Sequence, residues 1–337
     1  MANQFSLAVF IGRFQPFHQG HFKVIEHGLT VADRVLVLIG SATSPRCHRN
    51  PFTYDERAKM IQGSFSHNVI VMPLEDASYN DAEWVSNVQK AAQQHAADDQ
   101  IALIGHSKDA TSFYLKLFPQ WGSVEVPSYG SVSGTAIRTS YFSNIGHMWL
   151  NDAETQVPER TKNLLVSFYA TNSYNKIKDE YEFVVKYKSA WANSPYPPIF
   201  VTVDAVVVQS GHVLLVKRGA QPGLGQWALP GGFINQDERI ADAVIRELRE
   251  ETGIKVPDPV LRGSVVAREV FDDPYRSARG RTITHASLIK LKDDVILPKV
   301  KGGDDAEKAR WVPIAQLRRQ DFFEDHYDIL MNLVARI

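Results

Sequence analysis

The stretch LAVFIGRFQPFHQGH, residues 7–21, holds a strand, a loop and the start of a helix. Its first five residues are all apolar, as in a strand covered on both faces. Gly12 ends that run, and the spacing after it predicts a helix over 21–31. Working outward, the same unit returns. Apolar runs at 35–39, 69–72, 101–104 and 124–126 alternate with amphipathic stretches at 54–64, 82–95 and 110–118. Strand alternating with helix predicts an α/β domain with a doubly wound parallel sheet. Such sheets take ligands beyond the carboxyl ends of their strands, which directs attention to Gly12, Gly40 and Gly105.

The pattern changes after about residue 152. Residues 163–190 are polar and aromatic, helical in part, and close a first domain over 1–190. Ser194-Pro195-Tyr196-Pro197-Pro198 disfavours helix at successive positions, so 191–198 reads as an extended linker. Beyond it, 199–337 reads as an α+β domain. Strands are expected at 200–208 and 213–217, turning at Ser210-Gly211, and near 261–270 and 282–291. Helices are expected at 238–252, stopped by Gly253, and near 322–337. Two domains agree with 337 residues.

Composition excludes several classes. Lys and Arg number 37 against 38 Asp and Glu, a net charge of −1, which argues against a nucleic-acid coat or a membrane-surface protein. The single cysteine, Cys47, forms no internal disulfide and fits a reducing, cytoplasmic setting. No apolar run is long enough to span a bilayer, and 7–11 is too short for a signal peptide.

The first candidate site is His18-Gln19-Gly20-His21. Helix N-termini present unpaired N–H groups and a positive dipole, so two imidazoles there suit phosphate oxygens. Two ordinary loop histidines are the plain alternative. No Walker-type lysine and no G-x-G-x-x-G follows the strand. Later in the domain comes SGTAIR, residues 133–138. Its Ser133 and Thr135 stand at a helix start, and Arg138 can grip a polyphosphate with its planar fork.

The second is GFINQDERIADAVIRELREETGI, residues 232–254. Glu247, Glu250 and Glu251 are three and four positions apart on one side of a helix. On the wheel, Glu247 and Glu251 fall beside Ile240 and Val244, so the charges border the apolar face. Like charges there repel and lose hydration, a conflict that a hard divalent cation resolves. Mg²⁺ is expected, with Mn²⁺ as the alternative.

GRFQPFHQGH with SGTAIR resembles the nucleotidylyltransferase superfamily, a Rossmann-like fold. Residues 50–57 (NPFTYDER), 80–84 and 105–109 (GHSKD) narrow the resemblance to archaeal-type nicotinamide mononucleotide (NMN) adenylyltransferases. It implies in-line attack of the mononucleotide phosphate on ATP, giving NAD and pyrophosphate, with Mg²⁺ assisting. His18, His21 and Arg138 would act on the phosphates, and Arg13 and Arg49 would hold the mononucleotide phosphate or the ATP tail. Trp84 would stack on the nicotinamide. Gly12, Phe14, Asn80, Gly105, His106, Ser133 and Thr135 complete the implied substrate contacts. Residues 232–254 fit the Nudix box without a gap, which implies hydrolysis of a nucleoside diphosphate linked to another group. The metal ligands would then be Glu247, Glu250 and Glu251, with Arg246 orienting a carboxylate. The general base would be a box glutamate or Glu307. Arg218, Trp227 and the loop 271–281 are candidates for base or ribose contact.

Together the halves resemble bifunctional NMN adenylyltransferase/Nudix proteins, which implies ADP-ribose as second substrate, cleaved to AMP and ribose 5-phosphate. A proline that marks some ADP-ribose hydrolases has only Pro274 as its nearest counterpart. NADH, diadenosine polyphosphates or a ligand-sensing role therefore stay open for the second domain. Small molecules, and no nucleic acid or membrane, are the expected partners, and a homo-oligomer is compatible with the sequence.

Overall fold

A computed structural model describes residues 3–65, 68–97, 100–105, 117–127, 129–130, 132–143, 156–302 and 306–337, the last segment's 306 and 307 by backbone alone. Two compact units emerge, Met1–Asp179 and Glu180–Ile337.

In the first unit, β1 (Phe5–Gly12), β2 (Ala32–Ile39), β3 (Val69–Pro73), β4 (Ile101–Gly105) and β5 (Gly122–Glu125) form one sheet in the order β3-β2-β1-β4-β5. Every pairing is parallel. Alternate residues of a strand face opposite sides. Leu7, Val9, Ile11, Leu36, Leu38 and Leu103 thus pack with Val88 and Ala92 of α3 (Asp81–Gln93). On the other face α1 (Gln19–Val31) comes so close at Gly28 that a Cβ would sit 2.7 Å from Ile104. Helices on both faces explain why the strands are continuously apolar. Strand order reverses between β1 and β4, and the ligand crevice of such a sheet lies there. The helices α2 (Tyr54–Gln62), α4 (Gly134–Ser143) and α5 (Glu159–Tyr169) complete the part assigned wholly to this unit.

The units divide at Asp179–Glu180, inside α6 (Asn172–Ser189), ahead of the proline-rich segment. Aromatic contacts follow this division. Tyr174 meets Tyr141 and Phe142 of the first unit, whereas Tyr187 and Trp191 meet Phe200 of the second. Residues 191–198 carry turns and bends but no regular element.

The second unit is a mixed sheet. Its path is β10 (Val265–Phe271), β11 (Arg281–Lys290), β6 (Ile199–Gln209), β7 (His212–Arg218) and β12 (Ala306–Pro313). Only β11 and β6 run parallel along this path. Short β8 (Trp227–Ala228) pairs with β7, and β9 (Gly231–Phe233) pairs with β6. Val203, Ala205 and Val207 face α7 (Ile240–Thr252), burying Ala243, Val244 and Leu248. Val206 and Val208 face α9 (His326–Val334), burying Ile329, Leu330 and Leu333.

Most expected elements are found within a few residues of their places. The strand expected from 261 begins only at Val265, because Pro257, Asp258 and Pro259 start a helical turn, α8 (Asp258–Gly263). The helix expected at 110–118 falls largely outside the described residues. Gly253 stops α7 in the left-handed conformation, φ 56°, with its N–H on Arg249 O at 2.8 Å. Gly253→Ala should lower unfolding stability by about 1 kcal/mol, read by denaturant titration, because a Cβ is strained at that φ.

Candidate functional site

The loop after β1 is built before any ligand arrives. Arg57, fully buried on α2, donates to the carbonyls of Arg13 and Gly40 at 2.7 Å, Ser41 at 2.9 Å and Thr53 at 3.2 Å. Burial lowers its pKa to about 10, with Asp76 opposing, so it keeps its proton at neutral pH. Gln15 mimics a peptide group, exchanging two hydrogen bonds with the Phe52 main chain at 2.8 and 3.0 Å. Phe14 takes a positive φ of 52° and closes its ring over Gly12, where a Cβ would lie 2.9 Å from it. Such strain in a non-glycine residue is typical of functional loops.

This loop delivers both histidines to the start of α1. His18 is the N-cap, its N–H donates to His21 Nδ1 at 3.3 Å, and the two rings stack at 3.6 Å. Phe14 and Phe17 bracket His21 at 4.8 and 5.8 Å. Ser133 caps α4, accepting from Ala136 N–H at 3.1 Å. Arg138, one turn on, donates to Gln15 O and to Thr135 Oγ1. A Cβ on Gly134 would sit 2.9 Å from Gln15 O, so the two loops touch. Burial lowers the Arg138 pKa to about 10, and the charges of Arg13 and Arg49 push the same way. Three guanidiniums near a helix N-terminus form a polyanion site.

In the second unit, Arg246 organises the acidic helix. Its guanidinium grips Glu238 through two bonds of 2.8 Å and also reaches Glu247 and Glu250 at 2.8 Å. Glu251 lies deeper, accepting Gly231 N–H at 3.0 Å. Burial pushes its pKa up to about 8, the Gly231 N–H opposes this, and neighbouring Glu247 and Asp204 add to the rise. Glu247 is also raised by burial, against Arg246. Two carboxyls whose charge is disfavoured, plus Glu250, are hard oxygen donors suited to a divalent cation. Gly232 keeps the space clear, since a Cβ would lie 2.7 Å from the Glu247 carboxyl. Among the described residues no three such side chains already surround one point. Arg246 draws Glu247 and Glu250 to itself.

Glu251 lines a cleft with Asp204, Arg218, Gln221, Phe233, Arg276, Arg279, Glu324 and His326. Thr284 donates to buried Asp204. His326 accepts Leu229 N–H at 3.1 Å, and burial lowers its pKa to about 3, which keeps it neutral. Arg276 is locked on Asp325 by two bonds of 2.9 Å.

The comparisons follow this geometry. A cytidylyltransferase-like domain matches residues 9–139, and a NUDIX domain matches 198–333. Over 187 residues the chain is 36% identical to a nicotinamide/nicotinic acid mononucleotide adenylyltransferase of Acinetobacter baylyi, covering 53% of this chain and 94% of that protein. Over 132 residues it is 35% identical to an ADP-ribose pyrophosphatase of Methanocaldococcus jannaschii, covering 39% of this chain and 71% of that one. The crystal structure of a bifunctional NMN adenylyltransferase/ADP ribose pyrophosphatase from Francisella tularensis, complexed with AMP and a Mn ion, superposes with a TM-score of 0.90. Its identity is 36%, over 98% of this chain and 99% of that one. The chain belongs to this bifunctional family. Its NUDIX half places it among metal-dependent hydrolases. No helix among the described residues is long and apolar enough to cross a membrane.

Several sequence-named residues also make structural contacts. Asn80 caps α3, accepting Glu83 N–H at 3.2 Å. Trp84 packs on the α3 face of the sheet, 6.2 Å from Phe118, so its ring already has a core partner. Gly105 ends β4 and accepts Val126 N–H at 2.9 Å. Trp227 packs on the core beneath Arg310 at 4.2 Å, while its neighbour Ala228 lines the cleft. Arg218 does line the cleft, donating to Pro222 O at 2.7 Å and lying 4.1 Å over Phe323. His106 and the Glu307 side chain lie outside the described residues. Sequence reasoning gave no role to Arg57, Gln15, Asp204, Glu324 or His326. The motif NPFTYDER contains Arg57, and that was the available signal.

Arg57→Met should cost the first unit ~3 kcal/mol of stability by thermal unfolding, since it leaves buried carbonyls without donors. Gly232→Ala should lower hydrolysis about tenfold or more while leaving the first unit's unfolding unchanged, because the Glu247 carboxyl must move aside.

Proposed function

We propose that the first unit transfers the adenylyl group of ATP to NMN, giving NAD and pyrophosphate. The second unit, in this reading, hydrolyses ADP-ribose to AMP and ribose 5-phosphate. The observation that carries the first assignment is the meeting of stacked His18 and His21 with Arg13, Arg49 and Arg138 at the start of α1. The mononucleotide phosphate oxygen attacks the α-phosphorus while the bond to the β-phosphate oxygen breaks. The enzyme's part is alignment and charge neutralisation. His18 and His21 face the reacting phosphates, and Arg138, anchored on Gln15 and Thr135, takes the departing pyrophosphate.

For the second unit the carrying observation is a cleft joining the Glu251 carboxyl to arginines and Phe233. Glu247, Glu250 and Glu251 would hold Mg²⁺ or Mn²⁺, which when bound polarises a diphosphate and acidifies water. Arg246 fixes the rotamers of Glu247 and Glu250, and Gly231 N–H fixes Glu251. Arg218 supplies positive charge for the diphosphate. A single cysteine supports a reducing, cytoplasmic setting.

Separate sites make separable losses. His18→Ala should reduce NAD synthesis about 100-fold or more and leave ADP-ribose hydrolysis intact, and Glu251→Gln should do the reverse. Both are read by product chromatography on the full chain. Loss of both activities from one substitution in a folded protein would overturn the two-site reading.

A further inference from the structure

Two residues that line the cleft of the second unit each carry a buried polar atom whose hydrogen bond is unmade. Gln221 Oε1 and Arg279 Nε are buried, and neither has a partner among the described residues. Both residues line the cleft that also holds Glu251 and Phe233. An unmet buried donor or acceptor costs about 1–3 kcal/mol. Such atoms are rare in folded proteins, and each calls for an explanation. Here one is an acceptor and the other a donor, and both belong to the cleft that the proposed diphosphate chemistry uses.

The cleft arginines differ in this respect. Arg276 is held by Asp325, and Arg218 donates to Pro222 O. The Arg279 guanidinium instead lies 5.1 Å over the Phe233 ring. That ring is 37% exposed and meets Phe200 in an edge contact at 5.8 Å. The cleft therefore combines a partly exposed aromatic surface, a guanidinium stacked on it, an unmet acceptor and an unmet donor. A flat heteroaromatic ring with a donor and an acceptor on its edge matches all four.

We propose that Gln221 and Arg279 read the edge of an adenine ring and set a preference for adenine- over hypoxanthine-bearing nucleoside diphosphates. This rests on the ADP-ribose reading above and adds what selects the base. The exocyclic amine of adenine donates to Gln221 Oε1, and a ring nitrogen accepts from Arg279 Nε. Hypoxanthine carries a carbonyl oxygen in place of that amine, so Gln221 Oε1 would face a second acceptor. A buried polar group left unpaired is the strongest basis for rejecting a near-isosteric ligand.

The test compares the hydrolysis of ADP-ribose and IDP-ribose by the full chain, wild type against Gln221→Leu and Arg279→Lys. Wild type should favour ADP-ribose about tenfold or more in kcat/KM. Gln221→Leu should raise KM for ADP-ribose about tenfold, leave kcat within about twofold and bring the two substrates close to parity. Arg279→Lys, which keeps the charge but loses the fork, should also raise KM. NAD synthesis by the same preparations reports that the chain is folded. A gain in thermal stability for Gln221→Leu with KM and preference unchanged would make that atom a mere packing defect and sink the inference. If wild type does not cleave ADP-ribose, the proposed function fails separately. Calorimetric binding of AMP and IMP then decides the inference, wild type minus Gln221→Leu isolating the second unit. Loss of AMP binding with IMP unaffected supports it, and no difference overturns it.

Discussion

The guanidinium of Arg57 on four main-chain carbonyls is the interaction on which the first site depends. Its acceptors lie in the loops after β1 and β2 and at the cap of α2. Carbonyls gathered there would otherwise repel one another and lose water. A buried arginine answers both problems, since its fork carries five donors and does not shed its charge. The consequences run outward. With Arg13 O held, Gln15 reaches the Phe52 main chain, and Gln15 O becomes an acceptor for Arg138. Arg138 thereby comes within range of the Arg13 and Arg49 charges. The site's positive field is thus set by a residue that need not touch substrate.

The second unit solves the opposite problem with the same residue type. Glu238, Glu247 and Glu250 would repel if left alone, and Arg246 spans all three. Glu251 stands apart from that network and accepts Gly231 N–H. The burial that raises its pKa makes it the carboxyl that gains most from a cation. In both units some arginines are consumed by structure, as Arg57, Arg246 and Arg276 are. The Arg279 guanidinium lies over the Phe233 ring instead. The near-cancelling charge of the basic and acidic residues explains why a net charge of −1 said little about polyanion partners.

Much of this was legible in the sequence. Buried parallel strands need unbroken apolar runs, and β1, β2 and β4 have them. The wheel reading of 240–252 placed Glu247 and Glu251 at the edge of the apolar face, and both are partly buried. Gly253 was legible because few other residues take its φ. Less legible were β8 and β9, too short for any periodicity, and α8, where two prolines began a helical turn in an apparent strand. The aromatic contacts on either side of Asp179 were not legible, because they join residues apart in sequence.

The sequence by itself determined the two-domain order, the helix and strand types, and the residues whose spacing is local: His18 with His21, Ser133 with Arg138, and the box glutamates. Local spacing suffices there because one helix fixes the geometry. Only the tertiary structure decided which cations are spent on carbonyls and carboxylates, and that Gln221, Arg279 and Phe233 share a cleft. It also decided that Trp84 and Trp227 have core partners. Those facts depend on strands and loops distant in sequence meeting in space, and burial at such meetings decides which polar atoms must find a partner.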